Sequence, residues 1–179
     1  MNNLRLTVKN YKHCEWMSEE TDCYTASLYL DGKRIGTAEN SGHGGNDMYN
    51  FATPAAEAAF KAYAEEWVNS DEVQNDPTHQ INGECYASEE SLVAEACLNF
   101  KRVKMIKGVL KNRKGADFTT AILIERPVNN YMTDYLTLAL HPHHDADALI
   151  AERIEEGDTV YTYTAEAGVS IWSREGATA

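Results

Sequence analysis

The dipeptide Asp31-Gly32 constrains the fold of this chain more than any other feature of its sequence. It separates two runs that are rich in β-forming residues, 23–30 and 33–38. A two-residue loop between antiparallel strands needs positive φ at its central positions, and Asp-Gly meets that need at low cost. A β-hairpin is therefore predicted here. Because residues 3–11 alternate between apolar and polar side chains, they add a third strand to an antiparallel meander.

Two helices are predicted after this meander. The first begins at Thr53-Pro54, because threonine caps unpaired N–H groups and proline suits the first helical position. Its apolar side chains recur at helical spacing and form a core-facing stripe of Ala56, Phe60, Tyr63 and Trp67. Ser88 caps a longer second helix, and Gly115 ends it. The apolar stripe of this second helix consists of Leu92, Ala96, Val103, Ile106 and Leu110.

The remaining segments complete an α+β chain, with an antiparallel N-terminal meander, two main helices and a mixed C-terminal α/β portion. Residues 40–50 are predicted to form a loop, because their glycines disfavour regular structure. After the second helix we expect strands at 117–125, 160–164 and 168–172, a short helix at 146–156, and either element at 131–140. The predicted organisation is a meander plus helix over 1–70, a polar linker or insertion over 71–87, and a final part over 88–179, all packed as one domain.

Composition excludes several classes of protein. The chain has 179 residues, of which 43% are apolar and 25% charged, values typical of folded globular chains. No apolar run approaches the roughly 20 residues that a bilayer requires, so no membrane association is predicted. The first residues alternate as a strand does and do not form an apolar leader, which favours a cytoplasmic location. Four cysteines are too few for a disulfide scaffold and are expected as reduced thiols.

Charge is distributed unevenly along the chain, whose net charge is −12. Residues 51–100 contain 1 basic and 10 acidic side chains. Such an acidic balance disfavours general coating of nucleic acid, which requires positive charge. A more specific interpretation is an acidic surface that enters the basic, nucleic-acid-binding groove of another protein. The residues assigned to this surface are Glu57, Glu65, Glu66, Asp71, Glu72, Asp76, Glu84, Glu89 and Glu90.

The segment 101–114 has the opposite character, with seven basic and no acidic residues. A second interpretation is that this helix contacts the phosphates of a nucleic acid directly. The residues assigned to that role are Lys101, Lys104, Lys107, Lys111, Arg113 and Lys114. A third interpretation is that acidic and basic helices neutralise each other within one fold or in a homodimer.

Two further groups of residues are candidates for chemistry. The loop Gly42, His43, Gly44 and Gly45 resembles glycine loops that bring backbone N–H groups to an anion, but it lacks the Gly-Lys-Ser/Thr ending of a phosphate-binding loop. The cluster His141-Pro142-His143-His144, with Asp145 and Asp147, holds suitable metal ligands on an unfavourable backbone. The spacing of His13, Cys14 and Cys23 matches no zinc motif. No cofactor, metal or catalytic residue is therefore assigned, and a metal-dependent enzyme or binder remains the alternative.

The first 50 residues contain, in order, Ser18-Glu19-Glu20-Thr21, a strand, Asp31-Gly32-Lys33, a second strand, and the Gly42-His43-Gly44-Gly45 loop. In this pattern they resemble a family of small uncharacterised proteins of phages, prophages and other bacterial mobile elements. Small acidic proteins of such elements are often inhibitors of host defence, including anti-CRISPR and anti-restriction proteins. The resemblance implies a non-enzymatic protein that acts in the bacterial host cytoplasm on a defence nuclease or nucleoprotein, such as a CRISPR effector nuclease.

Overall fold

The computed structural model describes the backbone of residues 4–112, 120–129, 132–140, 145–155, 158–164 and 168–172. It describes side chains over 4–108, 122–126, 135–138, 145–155 and 158–162. The chain divides into two compact units, Asn2–Phe100 and Lys101–Ala179, called here the N-terminal and the C-terminal unit.

A four-stranded antiparallel sheet forms the framework of the N-terminal unit. Its strands are β1 (Leu6–His13), β2 (Tyr24–Leu30), β3 (Lys33–Asn40) and β4 (Met48–Phe51), which lie side by side in that order. The predicted hairpin is confirmed, since β2 pairs with β3 across Asp31 and Gly32, whose φ values are 49° and 76°.

The fourth strand corrects the prediction that residues 40–50 form only a loop. Strand β3 continues to Asn40, and β4 pairs with it through contacts such as Gly36 opposite Phe51. The rings of Tyr49 and Phe51 lie 5.5 and 5.2 Å from that of Phe60 on the following helix. This packing supplies the burial that favours a strand, and the local run of glycines gives no sign of it.

Helices α1 (Pro54–Val68) and α3 (Glu89–Asn112) are the two that the sequence predicts. Thr53 Oγ1 accepts the N–H of Ala56 at 3.1 Å, and Ser88 Oγ accepts the N–H of Ser91 at 3.3 Å. Both predicted caps are therefore present. The segment between the helices holds α2 (Asp71–Gln74), a 3-10 turn, and the short strands β5 (Gln80–Ile81) and β6 (Glu84–Cys85).

The core of the N-terminal unit lies between the sheet and its helices. Phe60, Tyr63 and Trp67 of the predicted α1 stripe are buried, and Ala56 packs against them from a partly buried position. Leu28 from the sheet and Leu92 from α3 are fully buried in the same cluster. The predicted α1 stripe, together with Leu92 and Ala96 of the α3 stripe, thus lies in this core.

The C-terminal unit is built on a second antiparallel sheet. Its elements are β7 (Thr120–Asn129), β8 (Met132–Leu140), α4 (Ala146–Glu155), β9 (Thr159–Thr164) and β10 (Gly168–Trp172), with strand order β10-β9-β7-β8. The ambiguous segment is therefore a strand over its described residues, Met132–Leu140. The predicted α+β class is confirmed. In the part of the chain described, no helix combines the length and the apolar character that a membrane span requires.

An ion pair between Arg126 and Asp158 links β7 to the residue before β9. Its guanidinium donates from Nε and from one terminal nitrogen to the two carboxylate oxygens, at 2.9 Å each. Hydrogen bonding from Arg126 lowers the pKa of Asp158 below its ordinary value. The ionised, paired form therefore stabilises the folded state at neutral pH.

We expect this pair to make stability depend on pH in acid. Because the folded-state pKa of Asp158 is lowered, its stabilisation is present above the ordinary pKa and is lost as pH falls through the lowered one. The urea midpoint of the wild type should therefore fall more between about pH 6 and about pH 2 than that of Asp158→Asn. An equal fall in both proteins would contradict the expectation.

Candidate functional site

The N-terminal unit carries almost all of the net charge of the protein. It contains 6 basic and 17 acidic residues, a net charge of −11, whereas the C-terminal unit contains 10 basic and 11 acidic residues, a net charge of −1. The carboxylates assigned to an acidic surface all belong to the first unit, and the lysines assigned to nucleic acid all belong to the second. The uneven charge of the sequence is therefore also a difference between two folded units.

The nine carboxylates assigned to the acidic surface have three kinds of surroundings. Five are exposed: Glu65, Glu66, Asp71, Glu72 and Glu84. Two, Glu57 and Glu89, line a pocket. The carboxylates of the remaining two accept hydrogen bonds from backbone N–H groups. Asp76 accepts the N–H of Thr78 at 2.8 Å, and Glu90 accepts the N–H of Asp47 at 3.0 Å. The exposed five, here called the outer carboxylates, are the ones best placed to meet a partner.

Basic side chains partly neutralise this unit. Lys61 donates to Glu57 one turn away on α1 at 2.7 Å, and this hydrogen bond raises the pKa of Lys61. Arg5 makes two hydrogen bonds to Asp31, at 3.0 and 2.8 Å, and lies 3.3 Å from Glu66. Exposed pairs of this kind contribute little to stability. With six basic residues against seventeen acidic ones, the unit keeps a net charge of −11.

The pocket that Glu57 and Glu89 line has a volume of about 440 Å³ and opens to solvent. Its wall includes Tyr49 and Phe51 of β4, and Lys61, which also lines it, interacts electrostatically with both carboxylates. Sequence reasoning missed the pocket, because its aromatic wall exists only when β4 pairs with β3. Its two carboxylates and single ammonium extend the acidic surface inward.

The glycine loop over residues 41–47 is organised by the buried side chain of Asn40. Its Oδ1 accepts the Thr21 hydroxyl at 2.8 Å and the N–H of Gly42 at 2.9 Å. Its Nδ2 donates to the Gly45 carbonyl at 2.9 Å and to Asp47 at 3.0 Å. Since the N–H of Gly44 also donates, to the Thr21 hydroxyl at 3.4 Å, two of the donors proposed for an anion are used within the chain.

Beneath the loop, the hydroxyl groups of Tyr24 and Tyr49 both donate to Oδ2 of Asp47. Burial and the neighbouring carboxylate raise the pKa of each tyrosine well above its ordinary value. Both hydroxyls therefore remain protonated donors at neutral pH. At the surface of the same loop, His43 Nδ1 lies 3.3 Å from Glu19, and both side chains are exposed. These hydrogen bonds within the chain fix the conformation of the loop.

The metal-dependent alternative concerns the Gly42-His43-Gly44-Gly45 loop and the histidine cluster. Among the residues that the structure describes, no three His, Cys, Asp or Glu side chains are grouped so as to hold a metal ion. Asp145 caps α4 by accepting the N–H of Ala148 at 3.0 Å. The predicted cluster His141-Pro142-His143-His144 lies outside the described residues.

The basic segment is less available than its sequence indicates. Lys104 and Lys107 are exposed on α3, Lys101 is half-buried, and Arg102 is buried against Glu125. The side chain of Lys111, and Arg113 and Lys114 entirely, lie outside the described residues. The positive charge of Arg102 is thus used inside the C-terminal unit.

An exposed tryptophan was missed by sequence reasoning. Trp16 lies in a 3-10 turn, Glu15–Met17, between β1 and β2, and its side chain is 83% exposed. The turn is held in place because the Gly42 carbonyl accepts the N–H groups of Glu19 and Glu20, each at 3.0 Å. Tryptophan is costly to expose and is enriched at the energetic centres of protein interfaces. In the sequence, the acidic residues around Trp16 were the sign that this side chain is exposed to solvent.

Comparison with known proteins found no match from which a function could be inferred. No protein-family model matches the chain, and no curated protein or solved structure does so. The features that distinguish the molecule are the net charge of the N-terminal unit, its outer carboxylates and the exposed Trp16. Complementary charge and exposed aromatic side chains are both common at protein interfaces.

Proposed function

We propose that this chain is a non-enzymatic binding protein whose acidic N-terminal unit occupies the nucleic-acid-binding groove of a host defence nuclease or nucleoprotein. The observation that carries the proposal is the net charge of −11 on a unit of 99 residues, Asn2–Phe100, with five outer carboxylates exposed. A groove that binds nucleic acid has a strongly positive potential, which attracts any compact anionic surface. A protein surface bound there excludes nucleic acid by occupying the same field.

Two further observations support a protein as the partner. The negative unit repels both nucleic acid and anionic lipid surfaces, whereas it attracts a basic protein surface. The exposed Trp16, close in sequence to Glu15, Glu19 and Glu20, adds an apolar contact that electrostatics alone does not supply. Charge then guides the encounter and the aromatic side chain slows dissociation.

The class of partner rests on the sequence resemblance. Small acidic proteins of phages and other mobile elements often inhibit host defence, and a CRISPR effector nuclease presents a positively charged channel for nucleic acid. We therefore place the action of this chain in the bacterial host cytoplasm, on the effector before it has loaded its nucleic acid. No cofactor is part of this function.

The test measures binding of the wild type to a panel of purified CRISPR effector nucleases without guide RNA, by calorimetry at several salt concentrations. We expect binding that weakens steeply with salt and is displaced by guide RNA. The triple variant Glu65→Gln, Glu72→Gln, Glu84→Gln should bind about tenfold or more weakly at low salt, because long-range attraction scales with the charge of the surface.

A matched control variant removes three charges from the C-terminal unit. The residues Asp147, Glu152 and Glu155 are exposed on α4, and their change to Asn, Gln and Gln gives the same net charge as the triple variant. Affinity should change less than about twofold in this control, since it leaves the N-terminal unit intact. Equal weakening of binding in both variants would show that affinity depends only on the total charge of the chain. Failure to bind any effector would overturn the proposal.

Direct nucleic-acid binding is a distinct outcome of the same series of measurements. Lys104 and Lys107 are exposed and one turn apart on α3, which favours contact with phosphates. A labelled duplex shifted by the wild type at low salt, and not by Lys104→Ala, Lys107→Ala, would assign function to this helix instead.

A further inference from the structure

Cys14 and Cys23 face each other where the pairing of β1 and β2 ends. The register places Lys12 opposite Thr25 and His13 opposite Tyr24, so the next opposed pair is formed by the two cysteines. The N–H of Cys14 donates to the Cys23 carbonyl at 2.9 Å. Opposed residues of antiparallel strands have Cα atoms about 4.5–5.5 Å apart, and disulfides span about 4.4–6.8 Å. The backbone therefore already has the spacing that a disulfide requires.

The two thiols are also close enough to influence each other electrostatically, and both side chains are half-buried, so that small solutes reach them. Burial, and then the neighbouring Cys14, raises the pKa of the Cys23 thiol, which stays protonated at neutral pH. The other two cysteines have different surroundings, because Cys97 is buried in the core and the Cys85 thiol donates to the Val73 carbonyl at 3.7 Å.

We propose that Cys14 and Cys23 are a redox-modification site at which a peroxide forms a reversible disulfide. One sulfur, as thiolate, attacks a peroxide oxygen; the O–O bond breaks, hydroxide leaves, and a sulfenic acid forms. The second sulfur attacks this sulfenic sulfur, the S–O bond breaks, and the oxygen leaves as water. Two thiols and one hydrogen peroxide thus yield one disulfide and two waters, with the two electrons passing from sulfur to oxygen.

The disulfide would close a ring around the turn that carries Trp16. The Ser18 hydroxyl already bridges the ends of this ring, donating to the Cys14 carbonyl at 3.0 Å and accepting the N–H of Cys23 at 2.8 Å. A Cβ added at Gly42 would lie 2.9 Å from the Cys23 Cβ, so the second cysteine also packs against the glycine loop. Oxidation therefore fixes both ends of the Trp16 turn in their present arrangement. The site does not depend on the proposed function.

The experiment exposes the purified full chain to stoichiometric hydrogen peroxide and then maps its cysteines by mass spectrometry after digestion without reductant. We expect a mass loss of about 2 Da, one peptide linking Cys14 to Cys23, and full reversal by a dithiol reductant. Amide hydrogen exchange over 15–22 should slow by about tenfold or more in the oxidised form, because the closed ring restricts its opening.

Two variants complete the test, each with its fold checked by circular dichroism. The double variant Cys85→Ser, Cys97→Ser should form the same disulfide. The variant Cys14→Ser should show no mass loss of about 2 Da after peroxide treatment. The proposal is overturned when peroxide links Cys14 or Cys23 to Cys85 or Cys97. It is equally overturned when wild-type Cys14 and Cys23 remain thiols, or gain oxygen without becoming linked.

Discussion

Arg102→Met is expected to lower the free energy of unfolding by about 3–5 kcal/mol, because it leaves a buried carboxylate without its partner. The side chains of Arg102 and Glu125 are only 7% and 10% exposed. Arg102 donates to both carboxylate oxygens, at 2.7 and 2.9 Å, and the Tyr161 hydroxyl donates to the same carboxylate at 2.9 Å. The guanidinium also lies 4.4 Å from the centre of the Tyr161 ring.

Urea denaturation followed by circular dichroism measures this loss. The control is Arg34→Met, which removes an exposed arginine from β3 and should change stability by less than about 0.5 kcal/mol. Replacing both partners, in Arg102→Met with Glu125→Leu, should recover much of the loss, since no charge is then buried alone. A cost for Arg102→Met no larger than that of the control would show that Glu125 has other means of compensation.

Gly42→Ala should be the second most damaging change, with a loss of about 2–4 kcal/mol from backbone strain and a steric clash. Gly42 has a φ of +88°, and a Cβ there would lie 2.0 Å from the Met17 carbonyl oxygen. That oxygen belongs to the backbone and has little room to move. The clash also displaces the Gly42 carbonyl, which accepts the N–H groups of Glu19, Glu20 and Thr21.

The same motif provides a control for this variant. Gly45 has no heavy atom within 4 Å of an added Cβ and no positive φ, so Gly45→Ala should be close to neutral. The urea midpoints of the two variants, with near-ultraviolet circular dichroism to follow the Trp16 turn, separate the roles of the two glycines. Equal midpoints would mean that the loop is mobile enough to accept a side chain at Gly42.

The order of local elements was largely predictable from sequence, because its signals act within a few residues. Asp31-Gly32 encodes a hairpin turn, and Thr53, Ser88 and Asp145 each cap the helix that follows. Helical spacing identified the buried face of α1, including Phe60 and Trp67. These signals depend on backbone conformation and periodicity, which distant contacts seldom override.

The sequence predicted the acidic composition of the candidate site, and it did not predict the contacts that its side chains make. The acidic character of residues 51–100 was evident, but the roles of Asp76 and Glu90 in holding backbone were not. The sequence pattern grouped Arg102 with the lysines around it, whereas the structure pairs it with Glu125, 23 residues away. Contacts of this range depend on which strand lies beside which helix, and charge counts along the chain contain no such information.

By itself, therefore, the sequence determined the α+β class, the hairpin, the helix caps and the separation of charge into an acidic and a mixed part. Only the tertiary structure decided that residues 48–51 complete the sheet, that Arg102 is buried, and that Cys14 faces Cys23 at the ends of the turn that exposes Trp16. The physical reason is range. Turns, caps and net charge follow from neighbouring residues, whereas burial and side-chain pairing follow from segments that meet only after the chain has folded.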